Sequence, residues 1–299
     1  MEKPLTIREA YLQASSFLST TRNTQDVQHV CRLLLEHVLE MDRSELLLSW
    51  QEPFPMERME ALQQALQRKA EGVPVQYITG EQEFFGFTFR VSPAVLIPRP
   101  ETELLVERVQ YWGRRLSDRL GKHSLKTADI GTGSGIIPIT LALLEPDWQF
   151  YAVDLSPDAL GMASQNAELH HVRDKLEFIE GDLLQPLLER QVDIDILISN
   201  PPYIPSTDVL ELQPEVKDYE PLLALDGGAD GLRCYRELIE GAGQLGRPPH
   251  IIGFETGAGQ AADVADMLRA AGNWDRVEIV KDLAEIERHV IGLGNEWAL

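Results

Sequence analysis

From about residue 99 onward, short apolar segments of strand character alternate with amphipathic helical segments. A strand followed by a helix and then by another strand folds most readily into parallel strands joined by right-handed crossovers. The sequence therefore predicts an α/β fold with a Rossmann-like, mostly parallel, seven-stranded sheet covered by helices on both faces. The predicted strands are residues 126–130, 150–153, 176–179, 194–199, 251–254, 277–281 and 288–291. The first predicted helix of this part begins at Pro100 and ends at Gly121. The other predicted helices are residues 136–144, 158–169, 232–242 and 260–271.

Residues 1–73 have a different pattern, which predicts a small N-terminal helical domain. Apolar residues recur there at three- and four-residue spacing, as in helices that bury one face. Ser44 is the expected N-cap of a short helix, and Pro55 and Gly72 are the expected start and end signals of the last helix. The predicted helices are residues 7–18, 27–39, 45–50 and 56–71.

Residues 74–98 are predicted to form a β-hairpin that links the helical domain to the α/β domain over residues 99–299. In the segment of residues 85–91 every second residue is apolar, which is the period of a strand with one buried face. Residues 75–78 are its expected partner strand. The residues on the buried face are Phe85, Phe87, Phe89 and Val91.

The chain carries a formal net charge of -21 over 299 residues. This charge argues against a nucleic-acid substrate, because proteins that grip phosphates usually present a basic face. No apolar run reaches the roughly 20 residues that cross a bilayer, and the first residues lack the apolar segment of a signal peptide. Cys31 and Cys234 lie outside any CxxC pair, and the histidines lack metal-ligand spacing. We therefore expect a cytoplasmic, monomeric protein with two buried thiols, no metal ion, no bound nucleic acid and no membrane association.

A glycine-rich turn from Gly131 to Gly135 lies between a predicted strand and a predicted helix. Glycines let the backbone turn sharply and approach a ligand closely. The spacing is neither the G-x-G-x-x-G of dinucleotide sites nor a Walker loop, so phosphate binding is not favoured.

Acidic residues follow the next two predicted strands. Asp154 ends the second strand, where a carboxylate can accept hydrogen bonds from both hydroxyls of a ribose. Ser156, followed by proline, already serves as the cap of the next helix, so Asp154 is not needed as a cap. After the third strand, Asp182 and Leu183 offer polar and apolar groups for an adenine. A glycine turn followed by these residues indicates S-adenosylmethionine rather than NAD as the cofactor.

The segment Asn200-Pro201-Pro202-Tyr203 follows the predicted fourth strand. Prolines fix φ and lack an N–H, so two prolines could simply terminate the strand, but their carbonyls also remain as rigid acceptors. With the Asn200 oxygen they can bind both hydrogens of an NH₂ group while the Tyr203 ring covers its planar face. An amide or aromatic amine nitrogen is planar and poorly nucleophilic. Accepting its hydrogen bonds favours a transition state in which the nitrogen becomes pyramidal and positive.

These segments together resemble the bacterial protein-(glutamine-N5) methyltransferases that modify class I peptide chain release factors. Residues 200–203 are shared with adenine-N6 DNA methyltransferases and some RNA methyltransferases, whereas residues 96–103, Leu-Ile-Pro-Arg-Pro-Glu-Thr-Glu, look like the family's own signature. The resemblance covers nearly the whole chain, with further matching stretches at residues 33–39, 72–80, 129–135 and 220–232. It departs at Glu285, where the family pattern has glycine, and this departure puts a local turn in question.

The resemblance implies a class I S-adenosylmethionine-dependent methyltransferase fold, with residues 99–299 as the methyltransferase domain. The reaction it implies is methyl transfer to the side-chain N5 of the glutamine in the Gly-Gly-Gln motif of a release factor. Our hypothesis for the helical domain is that it docks this partner. The implied cofactor contacts are Gly131, Thr132, Gly133, Ser134, Gly135, Asp154, Leu183 and Asn200. The implied catalytic and substrate-binding residues are Asn200, Pro201, Pro202 and Tyr203, with Arg99 also on the substrate.

Glu101 and Thr102 either lie near the same pocket or only start a helix, where acidic residues are favourable. Three other functions remain open at this point: a glutamine methyltransferase of a large-subunit ribosomal protein, an adenine-N6 DNA methyltransferase, and a catalytically silent adenosyl-binding module. The residue 96–103 signature favours release factors over the ribosomal protein. The acidic chain shows no basic target-recognition region of the kind that a DNA methyltransferase needs.

Overall fold

A computed structural model describes residues 5–21 and 26–294. The chain divides into two compact units. The first unit comprises Met1–Glu81 together with the later segment Leu212–Tyr219, and the second comprises Gln82–Glu211 and Glu220–Leu299. The chain therefore leaves the second unit after residue 211 and returns to it at residue 220.

The first unit is helical. Its core contains the fully buried Leu34 and Leu35, and a capping box between Thr6 and Glu9 begins its first helix. Burying a leucine side chain stabilises a fold by about 1.5–3 kcal/mol, so this core is the main source of the unit's stability. The helices are α1 (Ile7–Ser19), α2 (Val27–Leu39), α3 (Arg43–Leu48), α4 (Met59–Ala70) and α5 (Val75–Thr79).

The segment Leu212–Tyr219 is held to the helical unit by polar contacts. Lys69, only 2% exposed, makes an ion pair of 2.7 Å with Glu215. The Tyr219 hydroxyl donates to the Glu71 carbonyl over 3.0 Å. A buried lysine without a partner is costly, so this segment completes the helical unit.

Two local predictions in the helical unit were wrong. The short third helix is capped by Asp42 and not by Ser44, because the Asp42 carboxylate accepts hydrogen bonds from the N–H groups of Ser44 and Glu45. Residues 75–78 form helix α5 and not a strand. Pro74 precedes this helix and Gly80, with a φ of 78°, ends it, so the apolar residues pack into the helical core.

The β-hairpin exists, but its strands are β1 (Glu81–Phe84) and β2 (Phe87–Arg90). Phe85 and Gly86 form the turn with φ of 55° and 76°. Two positive φ values are typical of the two-residue turn whose twist matches a hairpin. The prediction that Phe85 lies in the strand was therefore wrong, because Phe85 is a turn residue. The Glu103 carboxylate accepts its N–H over 2.7 Å.

The second unit contains the predicted seven-stranded sheet, in the order β5-β4-β3-β6-β7-β9-β8. Strands β3 to β7 are parallel, and β9 runs antiparallel to both β7 and β8. The strands are β3 (Lys126–Ile130), β4 (Gln149–Asp154), β5 (Leu176–Glu180), β6 (Ile196–Ser199), β7 (Ile251–Glu255), β8 (Trp274–Lys281) and β9 (Glu287–Gly294). The helices are α6 (Glu101–Leu120), α7 (Ile136–Leu144), α8 (Pro157–Leu169), α9 (Gln185–Glu189), α11 (Arg233–Gln244) and α12 (Ala261–Ala271), while α10 (Pro214–Lys217) belongs to the helical unit.

Helices cover both faces of the sheet, as predicted. One buried cluster joins α6, α7 and α8 to the sheet through residues such as Leu105 and Ile139. The other joins α9, α11 and α12 to the opposite face through residues such as Tyr235 and Val264. The strand order reverses between β3 and β6, and in such sheets ligands bind at the carboxyl ends of the strands beside the reversal. No helix among residues 5–21 and 26–294 is long and apolar enough to cross a membrane.

Candidate active site

The predicted site residues follow the carboxyl ends of four adjacent strands. The glycine turn follows β3, Asp154 ends β4, Leu183 lies after β5, and Asn200 comes directly after β6. The Ser199 hydroxyl donates to the Ile130 carbonyl over 2.6 Å and ties the end of β6 to the end of β3. The structure therefore places the glycine turn beside the start of the Asn200 segment, at the reversal in strand order.

Four of the five backbone N–H groups from Gly131 to Gly135 already donate hydrogen bonds within the protein. Gly131 and Thr132 both donate to the Val153 carbonyl, over 2.9 and 3.0 Å. Gly133 donates to the Asp154 carboxylate over 2.8 Å. A pyrophosphate site needs such N–H groups to point at the ligand. The turn thus fits a ligand without phosphate, as expected for an adenosyl group.

Two glycines of the turn face open space. Gly131 and Gly133 have φ of 73° and 55°, and a Cβ built on either has no atom within 4 Å. Gly135 differs, because its Cβ would lie 2.8 Å from Ile139 Cδ1 and 3.0 Å from Ala163 Cβ. The first two glycines thus leave room for a ligand, and the third allows close packing of α7 against α8.

Asn166, a residue that the sequence analysis missed, holds the far side of this turn. Its side chain is fully buried and donates to the Ser134 carbonyl over 2.8 Å and to the Arg90 carbonyl over 3.0 Å. Its Oδ1 accepts the Arg90 N–H over 2.7 Å. Asn166 therefore joins α8, β2 and the glycine turn.

Asp154 is an acidic residue in direct contact with the turn. Its two carboxylate oxygens accept hydrogen bonds from the N–H groups of Gly133 and Ser156. Burial raises its pKa, and these hydrogen bonds partly oppose that rise. Each carboxylate oxygen has a second lone pair for a ligand hydroxyl. Ser156 caps α8 by accepting the Ala159 N–H over 3.2 Å, as predicted, so Asp154 is not the cap.

A second acid, Asp129, lies fully buried at the end of β3. Burial raises its pKa to about 7, while the nearby Thr132 hydroxyl lowers it and the charge of Asp154 raises it. Neither Asp129 oxygen makes a hydrogen bond of normal geometry within the described part of the chain. Asp129 is therefore a buried carboxyl beside the glycine turn.

Leu183 has a positive φ of 45°. This conformation is uncommon for a bulky residue and is found where the surrounding structure requires it. Leu183 is half-buried and packs against the cluster on one face of the sheet. Its side chain is thus held in place at the end of β5.

The Asn200 segment is held rigidly from behind. Gln260 donates to the Tyr203 carbonyl over 2.9 Å and accepts the Gly257 N–H over 3.0 Å. A Cβ on Gly227 would lie 2.7 Å from the Pro202 carbonyl oxygen, so a side chain there would push the segment out of place. In residues 5–21 and 26–294, no donor hydrogen-bonds the Pro201 or Pro202 carbonyl.

Tyr203 completes this segment. Burial and the charge of Glu255 raise the pKa of the Tyr203 hydroxyl to about 12, although the charges of Arg288 and Arg99 lower it. The phenol is therefore neutral at physiological pH. It contributes a ring and a hydroxyl, and no base.

Asn200 leads to a buried acid that the sequence analysis did not identify. Asn200 Nδ2 donates to Thr102 Oγ1 over 3.3 Å, and Thr102 donates to Glu255 Oε2 over 2.6 Å. Glu255 ends β7, the neighbour of β6, and is 2% exposed. Burial raises its pKa to about 7. The sequence signal for Glu255 was an acidic residue at the end of an apolar strand, which is the same signal that selected Asp154.

Arg99 lies near Tyr203 but also has a partner of its own. Its guanidinium pairs with Glu220 over 2.5 Å, and the other Glu220 oxygen accepts the Ile97 N–H over 3.3 Å. The Glu220 side chain is 1% exposed, whereas that of Arg99 is 33% exposed. The ion pair orients Arg99, and a third of the Arg99 side chain remains exposed.

Both cysteines are buried and unpaired, as expected. The described residues contain no group of three or more histidine, cysteine or acidic side chains that could hold a metal ion.

Solved structures share this fold. The catalytic domain of human METTL16 in complex with a MAT2A 3'UTR hairpin is 17% identical, with a TM-score of 0.55 over 80% of this chain and 82% of that chain. The N-terminal domain of human METTL16 in complex with SAH is 17% identical, with a TM-score of 0.52 over 82% and 86%. At such identity the likeness confirms the methyltransferase fold alone.

Two family profiles match the chain. The PrmC N-terminal domain matches residues 9–80, and the methyltransferase small domain matches residues 102–212. The two matches fall on the helical unit and on the first part of the sheet. They agree with the division of the chain into a helical part and an α/β part.

Curated relatives match over three quarters of the chain or more. The release factor glutamine methyltransferase of Bacillus anthracis is 39% identical over 95% of this chain and 98% of its own length. That of Bacillus subtilis is 38% identical over 96% and 98%, and that of Moorella thermoacetica is 43% identical over 75% and 76%. With its fold and with these relatives, the chain belongs to the release factor glutamine methyltransferase family.

Proposed function

We propose that this protein transfers a methyl group from S-adenosylmethionine to the side-chain amide nitrogen of the glutamine in the Gly-Gly-Gln motif of a class I release factor. The observation that carries the proposal is the Asn200 segment, with its rigid proline carbonyls and a buried polar support behind its amide. Family membership favours a release factor over a ribosomal protein as the substrate.

The cofactor would be held by residues at the ends of β3, β4, β5 and β6. Asp154 would accept the ribose hydroxyls, and the open sides of Gly131 and Gly133 would admit the ligand. S-adenosylmethionine, when bound, supplies an already activated methyl group, so no strong general base is required of the protein. The full proposed set is Gly131, Thr132, Gly133, Ser134, Gly135, Asp154, Leu183 and Asn200.

The acceptor amide would be held by hydrogen bonds to both of its hydrogens. The Asn200 side-chain oxygen and a carbonyl of Pro201 or Pro202 accept these hydrogens, and the Tyr203 ring covers the planar face. Such acceptors favour the positive, pyramidal nitrogen of the transition state over the planar ground state. Arg99, oriented by Glu220, would contact the backbone or side chains of the substrate loop.

The helical part of the chain, proposed as residues 1–73, would dock the release factor, residues 74–98 would link it, and residues 99–299 would catalyse the transfer. One surface suited to docking is an apolar groove of about 320 Å³ on the helical unit, lined by Phe17, Met59 and Leu66 among others. Phe17 is 42% exposed. We further propose a cytoplasmic monomer that does not bind nucleic acid, in keeping with the net charge of -21.

The decisive experiment measures transfer of labelled methyl from S-adenosylmethionine to a purified release factor. Its matched control is the same release factor with the glutamine of its Gly-Gly-Gln motif changed to leucine. We expect label on the first and none on the second, and loss of label with Asn200→Ala. Label on ribosomal protein or DNA, with none on the release factor, would keep the fold and the cofactor but refute the substrate.

A further inference from the structure

A line of three side chains runs from Asn200 into the interior of the second unit. Asn200 begins the segment of residues 200–203, called here the acceptor segment because it is proposed to bind the acceptor amide. Asn200 donates to Thr102 over 3.3 Å, and Thr102 donates to Glu255 over 2.6 Å. Thr102 is 0% exposed and Glu255 is 2% exposed. The three residues come from the end of β6, the first turn of α6 and the end of β7. Water has little access to the two inner members, so each depends on the others for its hydrogen bonds.

The chemistry of these groups gives the line a direction. An ionised carboxylate only accepts hydrogen bonds, and a threonine hydroxyl has a single hydrogen to donate. When Glu255 is ionised, Thr102 must donate to it, and the Thr102 oxygen is left to accept from Asn200. The Asn200 NH₂ group is then turned inward, and its Oδ1 lies on the opposite side of the amide.

Protonation of Glu255 would permit the reverse direction. A neutral carboxyl can donate to Thr102, whose hydroxyl can then donate to Asn200 Oδ1. An amide turned in that way would present NH₂ outward, where a substrate NH₂ also needs an acceptor. Two facing donors cannot bond, so the reversed line would not hold the substrate amide.

The charges around Glu255 leave it able to titrate near neutral pH. Burial raises the pKa of Glu255 to about 7. The hydrogen bond from Thr102, the charge of Arg288 on β9 and the nearby Asn200 amide lower it, whereas the charge of Glu101 on α6 raises it. His289 Nε2 lies 4.0 Å away. Burial lowers the pKa of His289 to about 4, so it is neutral at physiological pH and makes no ion pair with Glu255.

Two tyrosines also face this acid. The Tyr235 hydroxyl on α11 donates to the Glu255 backbone carbonyl over 2.8 Å. The charge of Glu255 also raises the pKa of Tyr203 in the acceptor segment. Both phenols have raised pKa values, because burial disfavours their ionised forms. They therefore stay neutral through the range in which Glu255 titrates.

We propose that Thr102 and Glu255 are positioning residues for methyl transfer: ionised Glu255 orients the Thr102 hydroxyl, and Thr102 orients the Asn200 amide with its oxygen toward the substrate nitrogen. Neither residue touches the reacting atoms. This inference rests on the proposed function, because it assigns the line to the same acceptor site. It also gives the reaction a built-in dependence on pH that the acceptor segment alone would not have.

The first test compares Thr102→Val with the matched Thr102→Ser, which keeps the hydroxyl. Removal of one polar group that stabilises a transition state costs about 10²–10³ in kcat. Because Thr102 acts through Asn200, we expect Thr102→Val to lower kcat about 10- to 100-fold, with the dissociation constant of S-adenosylmethionine unchanged within about twofold. Thr102→Ser should retain most of the rate. Equal rates for the valine variant and the wild type, or equal losses in both variants, would overturn the proposal.

The second test follows pH. Wild-type kcat should rise as pH increases through about 7, and Glu255→Gln should have a low rate without that rise, since glutamine does not titrate. In the cofactor-free protein labelled with ¹³C-glutamate, the carboxyl signal that Glu255→Gln removes should titrate near pH 7. A midpoint near 4.5, or an unchanged pH profile in Glu255→Gln, would contradict the proposal. If the wild type methylates no release factor, the proposed function fails, whereas the ¹³C titration still tests the buried line.

Discussion

Three glycines with positive φ serve different purposes in this chain. Gly121 ends α6 with a φ of 59°, Gly133 lies in the turn with 55°, and Gly135 precedes α7 with 81°. A Cβ on Gly121 or Gly133 would meet nothing within 4 Å, whereas one on Gly135 would lie 2.8 Å from Ile139 Cδ1. Substitution of each by alanine therefore tests backbone strain, ligand space and packing in turn.

The expected magnitudes follow from these distances. The left-handed conformation costs a residue with a Cβ about 1–2 kcal/mol, so Gly121→Ala and Gly133→Ala should each lower the free energy of unfolding by that amount. Gly135→Ala adds overpacking, which costs about 1–3 kcal/mol, for a total of about 2–5 kcal/mol. Only Gly133→Ala places a methyl group in the space proposed for the cofactor. It should weaken binding of S-adenosylmethionine at least about tenfold, since 1.4 kcal/mol is a factor of ten.

Urea unfolding of the four proteins gives the stabilities, and titration calorimetry gives the cofactor dissociation constants. Gly121→Ala is the matched control, because it changes backbone strain far from the turn. Wild-type cofactor affinity in Gly133→Ala would refute the assignment of the open side to the ligand. A Gly135→Ala protein as stable as Gly121→Ala would show that α7 and α8 shift to accommodate the added methyl group, which would contradict the predicted overpacking.

Three further predictions concern the buried acid, the buried amide and the docking groove. Asp129→Asn should gain stability relative to the wild type as pH rises from about 4 to about 7, because over this range the Asp129 carboxyl ionises in the unfolded chain but keeps its proton in the folded protein, which favours unfolding of the wild type; equal slopes of stability against pH would disprove this. Asn166→Ala should lower the free energy of unfolding by about 2–4 kcal/mol, since it leaves its three backbone partners without that bond; urea unfolding with a loss under about 1 kcal/mol would argue against it. Phe17→Asp should raise the KM for the release factor with little change in cofactor affinity or stability, and steady-state kinetics showing an unchanged KM would exclude the groove as the docking surface.

Local signals in the sequence predicted much of the second unit. The α7 bounds agree with the prediction at residues 136–144, and β3 agrees at residues 126–130. Apolar periodicity, caps and glycine ends act within a few residues of the chain, so they are readable without knowledge of the fold. The hairpin partner was wrong for the same reason, since residues 75–78 carry an apolar pattern that serves a short helix as well as a strand.

The acid behind the acceptor segment shows where such reading stops. Glu255 and Thr102 are 153 residues apart, and Thr102 and Asn200 are 98 apart. Their contact depends on β7 lying beside β6 and on α6 starting above both strands. No local pattern reports that order, although the type of residue at each strand end is visible.

The sequence by itself determined the alternation of strands and helices, and it was enough to predict a cofactor role for the glycine turn and an amide-binding role for the Asn200 segment. Tertiary structure alone decided which buried groups support that segment, that Asn166 fastens the turn, and that Leu212–Tyr219 belongs to the helical unit. The physical reason is that hydrophobic periodicity and backbone conformation are properties of neighbouring residues. A pKa raised to about 7, as at Glu255, is a property of everything packed around the group, from whatever part of the chain it comes.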